Sequence, residues 1–352
     1  MKQNIAQANA GWIPTLLKRC CGVFLLLACL FLMSGCSLVY RSTGDLLTGY
    51  SQSHAIPYLL TTDDPEAACA LSQAFGPFLA SFGTVTASPE KLKILMNMMS
   101  GSCAETQAWE AELRYLRALK QGNAIEAQDA RIQQKRLLGQ AAQRQYAGYL
   151  SLIQAMGEPG SVCPRFHHAQ DELFWFAGLL SGLEAAFSDL GADTIVGVPL
   201  DTPQKVARGA QCLDNQRWWG MPMAIQAAVW AAVPGAAPEG EHPLQRLAEA
   251  SALGLNQHVR LAQVLELQTY LSQGNMAEVK RVIRQHAQAK QQVPVDPAVK
   301  LFDEIATQQI QAVSDRLWTE AKGTRTPLKG LGTFWDDAQS NDDIKGIELN
   351  DL

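Results

Sequence analysis

Leu271-Ser272-Gln273-Gly274-Asn275-Met276-Ala277-Glu278-Val279 echoes an earlier run of the chain, Leu119-Lys120-Gln121-Gly122-Asn123-Ala124-Ile125-Glu126-Ala127. Both read as the junction of two helices. A glycine takes the left-handed backbone that ends a helix, and asparagine caps the helix that follows. Apolar residues flank the junctions at helical spacing: Trp109, Leu113 and Leu116 before the first, Met276, Val279 and Ile283 after the second. Each junction therefore predicts a helical hairpin.

The same grammar extends outward from the two junctions. Asp64-Pro65-Glu66 and Ser88-Pro89-Glu90 are helix starts, with a cap, a proline at the first turn and an acid against the helix dipole. They predict helices over 64–82 and from 89 to about Gly101, then over 104–121 and 123–156. In the second half, helices are expected over 169–190, 202–214, 221–233, 244–253, 255–273, 276–290 and 297–320. Residues 193–200 look β-like but are broken by Gly197 and Pro199, and read as a loop. The second junction, with Tyr270 four residues before Gly274, resembles the helix A–turn–helix B junction of a tetratricopeptide repeat. The expected fold is all-α, an array of antiparallel helical hairpins of tetratricopeptide-like, α-solenoid type.

The N-terminus carries an address. Residues 1–19 are polar and basic, Cys20 to Met33 is an apolar run too short to span a bilayer, and Leu32-Met33-Ser34-Gly35-Cys36 reads as a lipobox. Cleavage before Cys36 and acylation of that cysteine are expected. The several acyl chains supply what stable anchoring needs. Ser37, in place of an aspartate, favours the outer membrane, facing the periplasm. The expected divisions are a signal peptide (1–35), a lipidated tether (36–63), N-terminal helical hairpins (64–160), a tetratricopeptide-like region (161–322) and an acidic disordered tail (323–352). The boundary between halves falls at Gly157-Glu158-Pro159-Gly160.

Charge and cysteines narrow the function classes. The whole chain has a net charge of −5, and loss of Lys2, Lys18 and Arg19 with the signal takes it to −8. Such a chain has no electrostatic footprint for nucleic acid. After processing, Cys69, Cys103, Cys163 and Cys212 remain besides Cys36. An even number in an exported protein points to disulfides, and four cysteines allow three pairings. Cys69–Cys103 with Cys163–Cys212 is preferred, because each pair would tie neighbouring helices; four buried thiols are the alternative. No CxxC, HExxH, GxSxG or phosphate-binding loop is present. His167-His168 with Asp171 and Glu172 is the nearest approach to a metal cluster and lacks a third ligand from elsewhere. No catalytic residue, metal or cofactor is assigned, and the chain reads as a binding protein, not an enzyme. Phe174, Trp175, Trp218 and Trp219 are core residues first and, failing that, the expected lining of an apolar cleft.

A lipobox followed by helical hairpins resembles the TatT family, the lipoprotein T-component of tripartite ATP-independent periplasmic (TRAP) transporters. The likeness extends over Ala207-Arg208-Gly209-Ala210 to Leu213-Asp214, Trp219-Gly220-Met221-Pro222, Ala228-Val229-Trp230, Pro234-Gly235, and Phe302-Asp303-Glu304-Ile305-Ala306 to Leu317-Trp318. The resemblance implies a periplasmic helical protein that docks a TRAP substrate-binding protein, holds an apolar ligand in a central channel and assembles as a homo-oligomer, in some members a trimer. The four cysteines and the long polar helix at 123–156 depart from it. The rival expectation is a tetratricopeptide-like lipoprotein scaffold for envelope assembly.

Overall fold

The two Gly-Asn junctions form turns of one design. Gly122 and Gly274 have φ of +71° and +70°. The amide of Asn123 donates to Ala118 O at 2.9 Å, and that of Asn275 to Tyr270 O at 3.0 Å. Their side chains then accept from the amides of Glu126 (3.1 Å) and Glu278 (3.4 Å). Carbonyls left over at one helix end and amides left over at the next are thus satisfied within a few residues.

The computed structural model describes residues 38–87, 89–160 and 162–337, and no strand occurs among them. Among the described residues there are eleven α-helices: α1 (38–60, with a π-turn at Ser51–Ala55), α2 (Pro65–Ser81), α3 (Glu90–Lys120), α4 (Ala124–Met156), α5 (Ala169–Gly191), α6 (Thr202–Ala210), α7 (Met221–Ala232), α8 (Pro243–Asn256), α9 (Ala262–Ser272), α10 (Met276–Gln292) and α11 (Lys300–Lys322). The expected all-α array is what the chain forms. The signal peptide, Cys36, Ser88 and residues 338–352 lie outside the described residues.

Four expectations are corrected. The stretch expected as a tether is helical from residue 38, and Gly44, Ser51 and Ile56 turn inward. The break expected near Gly101 does not exist: α3 runs unbroken through it. Gly101 is there because α4 crosses so closely that a Cβ would lie 2.5 Å from the Gln145 side chain. Its helix penalty of about 1 kcal/mol is offset by that approach. The loop at 157–160 is not a domain boundary either. Gly178 on α5 lies against Leu152 of α4, where a Cβ would come within 2.7 Å, and Gly182 lies against Tyr149 (2.6 Å). One apolar core joins Leu79, Leu152 and Trp175 to Ile283, Phe302 and Leu317. Finally, residues 323–337 are not a disordered tail. They form a strap that turns back over α10, burying Phe334 and packing Trp335 against the core. Lys280 and Arg284 lie over the Phe334 ring at 5.0 and 4.9 Å, and the Trp318 indole donates to Thr333 O at 3.0 Å.

The cysteines stand in the preferred pairs, Cys69–Cys103 with Cα atoms 5.7 Å apart and Cys163–Cys212 at 5.4 Å. The first pair ties α2 to α3. The second differs from expectation, since it links two connecting segments, one before α5 and one after α6.

The array closes on itself. Helix α11 packs along α3 and also touches α1 and α2. Lys300 pairs with Asp63 at 2.5 Å, Lys120 donates to Ala321 O at 2.6 Å, and Arg325 pairs with Glu110. These exposed ion pairs contribute little individually, about 0–1 kcal/mol each. They mark a seam along α11, whose Phe302, Ile305 and Leu317 are buried in the apolar core.

Candidate functional site

Closure leaves a chamber at the centre. Helices α3, α5, α9 and α11 line it, with Met221 from the start of α7, around a cavity of about 110 Å³. One water needs roughly 10–15 Å³, so the space suits several waters or a small organic group. The lining is mostly apolar. Met98, Met99 and Trp109 come from α3, Leu180, Leu183 and Phe187 from α5, Val264 and Leu265 from α9, and Phe302 and Ile305 from α11. Each set follows helical spacing, which is why helices distant in sequence can share one space. Phe187 is exposed and Trp109 half-buried, so the chamber opens toward solvent on that side.

The polar lining is Ser102, Glu105, Glu184, Gln268 and Gln309. Glu105 and Glu184 face the chamber from α3 and α5, with protein packed densely around both. Ser188 Oγ donates to Glu105 at 2.8 Å, and Gln145 Nε2 lies 3.5 Å from Glu184 Oε2. Loss of water raises the Glu184 carboxyl well above its ordinary range, and the neighbouring Glu105 charge raises it further. Desolvation raises Glu105 too, against hydrogen bonds from Gln145 and Ser188 that favour its charged form. On the opposite wall, the Gln268 amide donates to Gln309 at 3.4 Å.

The four aromatic residues expected to line a cleft do not line this one. Phe174 and Trp175 are fully buried in the core, and the Trp175 indole donates to Gly209 O at 2.9 Å. The Trp218 indole donates to Glu172 at 3.0 Å. Trp219 packs on Phe302 with ring centroids 5.8 Å apart, so it braces the chamber wall from behind. The physical reason is local: the Trp175 and Trp218 indoles are committed to acceptors, and Phe174 and Trp219 are spent on packing.

Asp171 and Glu172 are also engaged. Asp171 pairs with Lys91 at 2.7 Å and accepts from the amides of His167 and His168, which caps α5. Glu172 pairs with Arg217 at 2.8 Å. Among the described residues, no group of three histidines, cysteines or carboxylates is placed to hold a metal ion.

A second polar cluster is structural. Asp303, buried on α11, accepts from the Arg260 backbone amide and from its Nε, each at 2.8 Å. His286 bridges Gln263 (2.8 Å) and Thr307 (3.1 Å). Burial pushes the His286 imidazole down to about 3, so it stays neutral in this network.

Reading the sequence missed Glu105 and Glu184. A signal was present for one: Glu184 is the only charged residue between Glu172 and Asp189, in an otherwise apolar helix. Nothing marks Glu105, whose role depends on what α5 brings opposite it. No family model, curated protein or solved structure matches the chain.

Proposed function

We propose that the protein is a lipid-anchored, periplasm-facing binding protein whose central chamber holds a small, mainly apolar ligand. We propose further that it serves solute uptake as a TatT-like accessory, docking the substrate-binding protein of a TRAP transporter. The chamber is the observation that carries the binding role: a partly enclosed apolar space with a few convergent polar groups is the usual form of a ligand site. An address outside the cytoplasm is supported by the two cysteine pairs at disulfide distance. Anchoring is supported by α1, on which Leu38, Val39, Tyr40, Leu46 and Tyr50 are exposed. Aromatic and apolar residues of this kind suit the membrane interface.

Native mass spectrometry of the chain from Ser37, purified from the periplasm, tests the chamber. A retained small molecule is expected, and it should be lost when Leu183→Phe fills the space. Recovery of only ligand-free protein under gentle conditions counts against the reading. Docking is tested separately, by pull-down of the host's TRAP substrate-binding protein and by TRAP-dependent uptake in a deletion strain. Unchanged uptake removes the transport role. Recovery of envelope-assembly factors in its place favours the scaffold reading.

A further inference from the structure

The chamber's ionisable groups carry one sign. Glu105 and Glu184 are the only titratable side chains in its lining, and neither has a basic partner among the described residues. The more deeply buried carboxylates Asp171, Asp189, Glu266 and Asp303 are served differently. Asp171 has Lys91, Glu266 has Arg281, Asp303 has Arg260, and Asp189 accepts from the amides of Val196 and Val198, both at 2.8 Å. The exception is the pair that faces the cavity. Behind it, the fully buried Gln145 leaves its Oε1 without a donor, so the wall that holds both carboxyls also holds an acceptor with nothing to accept.

Two carboxyls side by side in an apolar setting do not both ionise unless positive charge arrives. An anion would be repelled by them. A neutral hydrocarbon would remove their remaining water and return no hydrogen bond. A group with several N–H donors and a positive charge satisfies both carboxyls at once, by charge-assisted hydrogen bonds. The surroundings suit such a group: Trp109 and Phe187 are aromatic, the residue type that attracts cations, and Met98 and Met99 adapt to a variable apolar body.

We propose that the chamber binds an organic ammonium, a primary or secondary amine on a compact apolar body, with its nitrogen between Glu105 and Glu184. The inference rests on the chamber being a binding site, as argued above. The apolar body lies against Met98, Met99, Leu180 and Phe302.

The test is calorimetric titration of the chain from Ser37 with three probes of one shape: benzylammonium, benzyl alcohol and benzoate. Benzylammonium is expected to bind at least about tenfold more tightly than benzyl alcohol, the scale of one charge-assisted hydrogen bond, with benzoate weakest. The double variant Glu105→Gln/Glu184→Gln should lose that preference while still binding the alcohol. Glutamine keeps the shape and removes buried charge, so the variant is expected to fold, and a thermal melt checks it. Equal or tighter binding of benzyl alcohol by the unmodified chain overturns the ammonium assignment and leaves the chamber as a binding site. So does a preference that survives the double substitution. Failure of all three probes to bind overturns the chamber reading and the assignment together.

Discussion

At the scale of single residues, Glu184 and His286 pull the pH dependence of stability in opposite directions. Glu184 has its carboxyl raised in the folded state by desolvation and by Glu105. The stability its acid form confers is full below the ordinary value of 4.5 and is lost as the pH rises through the raised folded value. His286 is buried neutral, with its imidazole held down to about 3. Its contribution is full above the ordinary 6.5 and is lost as the pH falls toward 3. Glu184→Gln should therefore raise the melting temperature at pH 7.5 and change it little at pH 4. A calorimetric scan at the two values checks this; an equal shift at both would mean that glutamine acts through packing instead. Glu184 was discoverable in the sequence as a lone acid in an apolar helix. Glu105 was not, because one helix's sequence does not say what another will bring against it.

At the scale of elements, local chemistry explains most of what was legible. The Gly-Asn junctions, the Asp64 cap and the loop at 193–200 formed as read, since each depends on neighbours in sequence. Gly101 was misread because its role is tertiary: a glycine that ends a helix and one that admits a crossing helix look alike in one chain. The two junction glycines give a clean test. A Cβ at Gly122 or Gly274 would meet nothing within 4 Å, so alanine there is opposed by backbone conformation alone. Gly122→Ala and Gly274→Ala should each cost about 1–2 kcal/mol, the penalty of a left-handed alanine. The two turns share no hydrogen-bond partner, so the double variant should show the sum, measured by urea unfolding. A negligible cost at either site would mean that its turn has rearranged.

At the scale of the molecule, sequence periodicity described the helices but not their closure. A repeat-like pattern predicts neighbours stacking on neighbours, with free ends. Here α11 returns to α3, and the strap at 323–337 seals the outer side of α10. The strap was misread from its Gly, Thr and Pro content, which hid that Leu331, Phe334 and Trp335 are spaced to dock. Truncation after Lys322 uncovers apolar surface that these residues cover and should destabilise the protein by roughly 3–5 kcal/mol, as loss of large buried aromatics does. Guanidinium unfolding measures it. An unchanged midpoint would show that the strap adds nothing to the packed state.

The return of α11 also fixes an order of events in time. The polypeptide is synthesised from its N-terminus, and early helical pairs such as α3 and α4, neighbours in sequence, pack on each other without waiting for the rest of the chain. The chamber must wait: Phe302, Ile305 and Gln309 complete its wall. The site therefore comes into being only when the last long helix has docked, across nearly the full contour of the chain. A nascent or clipped protein would carry the hairpins and no pocket, so any ligand found there would report that the whole fold has formed.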